Sequence, residues 1–370
     1  MNHSSKETNQ QVASRTPIPL ELTRLIIDEC HSDIHTLGEC SLVCKYWMLI
    51  ARYHLFSDVK ISGNRRLLHR FSGLLSSLLC TFSCFVRSLS MRYIEPKDVN
   101  LTLPKFTGLL EITNMTLHTT PSSFAMQFIS PSSLATLCSF SHLTILDLTV
   151  YFQQFSHFTE IVSGFPKLED LRAEVNFANP ASWDISHRPS AHLHSLRVTW
   201  STVDILQWLL SLRPVPAIKN LDVSADSNPN IHFIGKYLQS VGDKLKTFTL
   251  SCYNVVDGLE HVYQDFNLAV NTTLQSMALN SYFMPPILIE YLISQLNSPD
   301  FRELKLESFC LGVGGWHSVD RQLSEIFSLR RFMIICSYID PIVSEEEVRA
   351  AFPRCNDRGI LNIQYEVDDL

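Results

Sequence analysis

A chain of 370 residues that is 45% hydrophobic and 18% charged has a globular composition and is long enough to bury a large core. Its 30 Lys and Arg against 37 Asp and Glu give a formal net charge of −7, which speaks against a general nucleic-acid binder. No run approaches the ~18 apolar residues of a membrane helix, and the most apolar stretch, Leu67 to Val86, carries His69, Arg70 and several serines, so a soluble protein without a membrane partner is expected. The ten cysteines follow no framework. The pairs Cys40/Cys44 and Cys80/Cys84 lie in apolar helical runs and read as buried thiols sharing a helix face rather than as zinc half-sites. No metal or cofactor is expected, and a reducing compartment, cytoplasmic or nuclear, follows.

Residues 1–15 are polar, lack the apolar core of a signal peptide and read as a disordered leader. Residues 16–60 then differ in character from everything that follows. Thr16-Pro17-Ile18-Pro19-Leu20-Glu21-Leu22 opens a helix, which Leu22, Leu25, Ile26 and Glu29 continue at helical spacing. A second helix is expected from about Leu37, through Leu42, Val43, Cys44 and Trp47, to Ile50 and Ala51. On these residues alone the segment is a small helical cap of the kind that shields the end of a repeat stack.

The order and spacing of Ile18-Pro19-Leu20-Glu21-Leu22, Leu42-Val43-Cys44-Lys45-Tyr46-Trp47, Ala51 and Leu55-Phe56 before Val59 closely resemble the F-box motif. The departures are small: Ile18 stands where leucine is usual, and Tyr46-Trp47 replaces the more frequent basic residue and Trp. The resemblance implies a small all-α module that docks on the S-phase-kinase-associated adaptor of a cullin-RING ubiquitin ligase. Pro19, Leu20, Leu22, Val43, Cys44, Lys45 and Trp47 match the motif position by position and become the candidate adaptor-binding residues. Such docking is a helix-in-groove contact and needs exposed apolar side chains at helical spacing. Trp47 fits either that surface or the module's own core, because aromatics dominate both kinds of burial.

Residues 61–142 are irregular. Arg65 to Leu79 reads as a helix with Leu67, Leu68, Phe71, Leu74, Leu75 and Leu78 on its apolar side. Val86-Leu89-Met91 fits the pattern, aliphatic-x-x-aliphatic-x-aliphatic, that dominates the rest of the chain, Leu110-Ile112 fits part of it, and Pro121 to Ser133 reads as a Ser/Pro-rich loop. From 143 to 370 the pattern is regular. It reads Leu143-Leu146-Leu148, Leu168-Leu171-Ala173, Leu193-Leu196-Val198 and Ile218-Leu221-Val223, with the first residues 25 apart each time. Longer spacings follow at Leu245-Phe248-Leu250, Leu274-Met277-Leu279, Phe301-Leu304-Leu306, Leu329-Phe332-Ile334 and a last one ending Leu361-Ile363. Helix-like runs alternate with the triplets: Val203 to Leu210 led by Ser201 and Thr202 as N-caps, Ile231 to Val241, Leu259 to Val270, Pro286 to Leu296, Val319 to Phe327, and Ser344 to Phe352 with Glu347 at capping-box spacing. A period of about 20–29 residues with one strand and one helix per unit is that of leucine-rich repeats. The expected fold is therefore α/β, a leucine-rich-repeat solenoid with a curved parallel sheet and convex-side helices, preceded by the helical module. The combination resembles fungal F-box proteins with divergent leucine-rich repeats.

Within each strand the second and third triplet residues point into the core, and the residues flanking them point out. The outward positions are mostly polar, as an uncovered, concave sheet face requires. Asp147, Asp170, Glu174 and Asp222, opposed by Arg172 and Arg197, are the candidate substrate-binding residues and predict a patchy, mildly negative field suited to an unknown protein substrate bearing Lys or Arg. No catalytic constellation accompanies them. Gly312-Val313-Gly314-Gly315-Trp316 lacks the spacing of a nucleotide site, no Gly-x-Ser-x-Gly elbow occurs, and His31, His35, His192 and His194 belong to no metal motif and read as solvated surface. The sequons at Asn114 and Asn271 are short enough to occur by chance. The expected function is thus the non-catalytic substrate-recognition subunit of an SCF-type ubiquitin ligase. The alternative is a leucine-rich-repeat interaction scaffold outside any ligase, with the first helices serving only as a cap.

Overall fold

A computed structural model describes residues 19–120, 128–179, 186–225, 228–252, 265–280, 286–307, 315–336 and 344–365. Each triplet becomes a short strand, because β-branched and aliphatic side chains alternating with polar ones suit a sheet covered on one face only. In order these are β1 (Asp58–Ser62), β2 (Ser88–Ile94), β3 (Asn114–Thr119), β4 (Ile145–Gln154), β5 (Asp170–Asn179), β6 (Ser195–Trp200), β7 (Asn220–Ala225), β8 (Thr247–Cys252), β9 (Ser276–Asn280), β10 (Glu303–Glu307), β11 (Arg331–Cys336) and β12 (Leu361–Tyr365). They form one 12-stranded sheet whose spatial order is the sequence order, with neighbours parallel. The fold is a leucine-rich-repeat solenoid. Triplet positions align across it: Leu146, Leu171, Leu196, Leu221 and Phe248 are register partners, and all are buried.

The connections carry the helices to one side. After β1 come α4 (Arg65–Leu75), α5 (Pro96–Thr102), α6 (Pro131–Cys138), α7 (Phe155–Ser163), α8 (Thr202–Ser211), α9 (Asn228–Val241), α10 (Pro286–Ser294), α11 (Trp316–Glu325), α12 (Glu345–Ala351) and α13 (Pro353–Asp357). A helix is about 10 Å wide and strands sit about 4.8 Å apart, so the helical side must fan out and the open face becomes concave.

Neighbouring repeats are joined by a ladder of carbonyls at the residue just before each of β1 to β10. Ser57, Arg87, Thr113, Thr144, Glu169, His194, Lys219, Lys246, Gln275 and Arg302 each accept two backbone N–H groups from the next repeat. These groups would otherwise be buried and orphaned where the strands begin. Beneath β4 to β6 the core is aromatic. Phe152, Phe155, Phe158 and Phe177 pack on one another, and Phe155 and Phe158 on Trp208, with centroids 5.0 to 6.2 Å apart, and the Trp208 indole donates to the His187 carbonyl at 3.2 Å. One glycine is obligatory: a Cβ on Gly235 in α9 would lie 2.4 Å from the Asp265 carbonyl oxygen.

Several expectations need correcting. The N-terminal module has three helices, α1 (Leu20–Glu29), α2 (Ile34–Val43) and α3 (Lys45–Phe56), and not two. Leu37 and Ala51 share a small core with Ile27, whereas a continuous helix would hold them about 21 Å apart. The chain therefore reverses at Cys44, which is extended (φ −160°, ψ 169°). Neither cysteine pair is buried on a helix face: Cys44 and Cys84 are exposed, and Cys40 and Cys80 are half-buried. The division at 60/61 cuts through β1, so the sheet begins at Asp58. The α4 helix stops at Leu75, and Leu78 and Leu79 are exposed. The third triplet is Ile112-Met115-Leu117 with Leu110 outside it, and Pro131 begins α6 instead of extending a loop. Ser201 makes no capping bond, and Thr202 instead donates to the Ser224 carbonyl at 2.9 Å. The capping box is present, with Ser344 and Glu347 each bonding the other's backbone N–H. Asn271 is no glycosylation acceptor, since it is 1% exposed and donates to the carbonyls of Leu238 and Gly242 at 3.0 and 2.8 Å. The leader, Pro17-Ile18, Gly312 to Gly314, and most of the run expected to be helical at 259–270 lie outside the described residues. Of that run, Leu268–Val270 is a single 3-10 turn.

Candidate functional site

Two surfaces stand out, one apolar on the N-terminal module and one polar on the sheet. In the module, Thr23, Ile27, Leu37 and Ala51 are buried, and Cys30, Cys40, Trp47, Ile50 and Leu55 pack around that small core. Trp47 is therefore half-buried core. Its companions in the motif are not: Pro19, Leu20, Leu22, Val43, Cys44 and Lys45 are exposed. The Tyr46 hydroxyl in the first turn of α3 donates to the Leu20 carbonyl at 3.3 Å, which draws the start of α1 to the α2–α3 junction. Elsewhere on the module Leu25, Ile26, Ile34 and Leu42 are also more than half exposed. At the other end of α3 the module is anchored: Phe56 stacks on Phe82 at 4.8 Å and Arg52 donates to the Thr81 hydroxyl at 2.8 Å.

On the open sheet face the register sets side chains in rows about 4.8 Å apart. One row runs Asp147, Arg172, Arg197, Asp222, Thr249, Ala278 and Lys305, and the next runs Thr149, Glu174 and Thr199, resuming at Ser224, Ser251, Asn280 and Glu307. All six candidate substrate residues fall on this face, but most are already paired. Asp147 lies 3.0 Å from the His118 imidazole, Asp170 3.4 Å from Arg172, and Asp222 2.5 Å from Arg197. Lys305 pairs with Glu307 at 2.5 Å and Arg331 with Glu303 at 3.4 Å. The expectation that only Arg172 and Arg197 oppose the acids is therefore corrected. His118 joins them beside Asp147, while Lys305 and Arg331 pair with the further acids Glu307 and Glu303, so the face is a pattern of paired charges.

Small side chains at Thr249, Ser251 and Ala278 leave a polar hollow of about 480 Å³ between the Arg197–Asp222 and Lys305–Glu307 pairs. Burial pushes the Asp222 carboxyl above its ordinary value; Arg197 pulls it back, Glu307 across the hollow opposes that pull, and the result stays raised. Elsewhere burial raises the Cys138 thiol to about 11 and the Cys252 thiol to about 12, which makes these two poor nucleophiles. His31, His35 and His192 are exposed and His194 is half-buried. Among the described residues no group of three or more His, Cys, Asp or Glu is placed to hold a metal ion, and no helix is long and apolar enough to cross a membrane.

The sequence reading missed an aromatic rim. β4 and β5 run past their neighbours, pairing Tyr151 with Asn176 and Phe152 with Phe177. Beside them β6 ends at Trp200, whose φ of 72° is left-handed. Such a backbone costs a bulky residue of order 1–3 kcal/mol. Regular alternation would send Trp200 into the core beside its register partner Val175. The left-handed turn instead leaves it 41% exposed with its ring 6.4 Å from that of Tyr151.

No protein-family model matches the chain, and no curated protein matches it significantly. Among solved structures it is similar to the leucine-rich repeat-containing protein LegL7 from Legionella pneumophila, at 15% identity over 79% of this chain and 85% of that one, with a TM-score of 0.41. The repeat assignment rests on this chain's own spacing and register.

Proposed function

We propose that this protein is the non-catalytic substrate-recognition subunit of a cullin-RING ubiquitin ligase of the SCF type, acting in the cytoplasm or nucleus. In this reading helices α1–α3 dock on the S-phase-kinase-associated adaptor, and the open sheet face holds a protein substrate. The observation that carries it is that the apolar motif residues Pro19, Leu20, Leu22 and Val43 are all exposed, on a module whose own core is made by other side chains. A helical cap needs an apolar face only toward the repeat it covers, and α3 already meets that need where its Phe56 stacks on Phe82 of the first repeat. The apolar side chains left over are the kind that helix-in-groove docking uses. The open face suits a protein partner by its rows of mostly paired polar side chains, which fix orientation and specificity more than affinity. The test is binding of the purified full chain to the purified adaptor by isothermal titration calorimetry. Saturable one-to-one binding with a negative heat-capacity change is expected. No heat and no co-elution would leave only a leucine-rich-repeat interaction scaffold outside any ligase.

A further inference from the structure

Of the carboxylates on the open face, one differs from the rest. Asp58, Asp147, Asp170, Asp222, Glu303 and Glu307 each have a lysine, arginine or histidine nitrogen within 4 Å. Among the described residues Glu174 has none. Its Oε2 accepts only the Thr149 hydroxyl, at 3.2 Å, and the nearby Arg172 reaches toward Asp170 instead. That hydrogen bond draws the carboxylate over β4, two residues and about 7 Å from Tyr151 on the same face. Tyr151 and Trp200 stand on the strands either side of β5, with their rings tilted by 42° to one another. An anionic group with no cationic partner thus shares the face with the half-buried Tyr151 and the 41% exposed Trp200, the latter held out by a left-handed backbone that a core tryptophan would not need. Both features attract the same chemistry, since carboxylates pair with ammonium and guanidinium groups and Trp and Tyr faces bind the same cations.

We propose that Glu174, Tyr151 and Trp200 form a recognition site for one Lys or Arg side chain of a partner peptide lying across β4 to β6. This deepens the open-face reading and rests on it. A nucleic acid stacked on the same rings would bring its phosphates against Glu174 on a chain of net charge −7. The in-house pairing of the other acids makes the site selective: a basic side chain gains a new partner at Glu174, whereas at Asp222 it would have to displace Arg197.

Two substitutions test the site with little risk to the fold. Glu174→Gln keeps an acceptor for Thr149 and removes only the charge. Trp200→Gly deletes the ring while supplying the residue that adopts a positive φ freely. The probe is a positional-scanning library of immobilised decapeptides, read with the purified full chain after thermal melts have shown each variant folded. Bound peptides should share Lys or Arg at one position, and norleucine there should weaken binding about tenfold. Either substitution should abolish that preference. Equal binding of Lys and norleucine peptides, an unchanged preference in Glu174→Gln, or no bound decapeptide at all overturns the site. A Lys305→Ala control separates this from the wider reading. Peptides sensitive to Lys305→Ala but not to Glu174→Gln would retain the open face and remove the cation site, while indifference to both would remove both.

Discussion

Replacing Leu20 and Val43 together by alanine probes the module surface with one residue from each half of the motif. Leu20 is 56% exposed and Val43 61%, so more than half of each side chain remains to be buried by a partner. Moving a leucine or valine from full exposure to full burial is worth about 1.5–3 kcal/mol, so each truncation should remove about 1 kcal/mol from docking. The pair should then weaken adaptor binding by about 2 kcal/mol, roughly thirtyfold in Kd. Neither side chain belongs to the Ile27–Leu37–Ala51 core, so the unfolding free energy should change by no more than about 0.5 kcal/mol per site. Leu37→Ala is the contrast: at 1% exposure it should cost the module about 2–5 kcal/mol. Titration calorimetry of the double variant against the adaptor, beside a far-UV melt, separates the two effects. Binding within threefold of the parent with an unchanged melt would refute the docking surface. A large loss of stability would show that these side chains are packed, and would refute the reasoning from exposure.

Leu196→Ala, in the most regular part of the stack, should cost about 2–5 kcal/mol in denaturant unfolding yet leave adaptor binding intact, because the module's core is separate. Asp222→Asn should leave the melting temperature at pH 7 unchanged or raised. Burial holds the folded carboxyl above its ordinary value, so the folded state binds the proton more tightly than the unfolded chain, and stability falls as pH rises through the folded pKa. Calorimetry from pH 3 to 7 should show that fall disappear in the variant, and a clear drop in Tm at pH 7 would mean that the Arg197–Asp222 pair is net stabilising. Asp320→Ala should cost about 1–3 kcal/mol locally, since its buried carboxylate accepts the backbone N–H groups of Arg354 and Cys355 at 3.0 and 2.9 Å and caps α13. Hydrogen exchange should quicken in α13 and stay unchanged in β4 to β6.

The 25-residue phase from Leu143 to Val223 was legible because each triplet residue is fixed by its register partners, so one period repeats one burial pattern. Ile112-Met115-Leu117 was misplaced by its neighbour Leu110, since an isolated apolar residue carries no phase. The break at Cys44 was invisible because both sides of it favour helix, and the reversal is imposed by burying Ala51 against Leu37, which is a tertiary demand. Outward positions were readable from alternation, but their pairing was not. Arg197 and Asp222 meet only because β6 and β7 pair in one register, and His118 reaches Asp147 for the same reason between β3 and β4. Trp200 left no signal at all, because a left-handed residue is anticipated from glycine or asparagine and not from tryptophan.

The pairing also decides which force each surface can use. An exposed ion pair contributes little to stability, and burial at Asp222 opposes its charge, so the open-face network is poorly explained as a device for holding the sheet together. In the open-face reading proposed above the network acts on binding instead. With the Debye length near 10 Å at 0.1 M salt, paired charges cancel beyond a few strands, so a basic protein is not drawn to the face indiscriminately and must present its charge where a partner is missing. The docking proposed for the module uses the opposite principle, since Leu20, Leu22, Leu25, Ile26, Leu42 and Val43 are exposed there and contacts to such side chains gain from water exclusion. Raising the salt from 0.05 to 0.5 M should therefore weaken open-face binding while leaving adaptor binding nearly constant. Equal salt sensitivity at both surfaces would contradict this division.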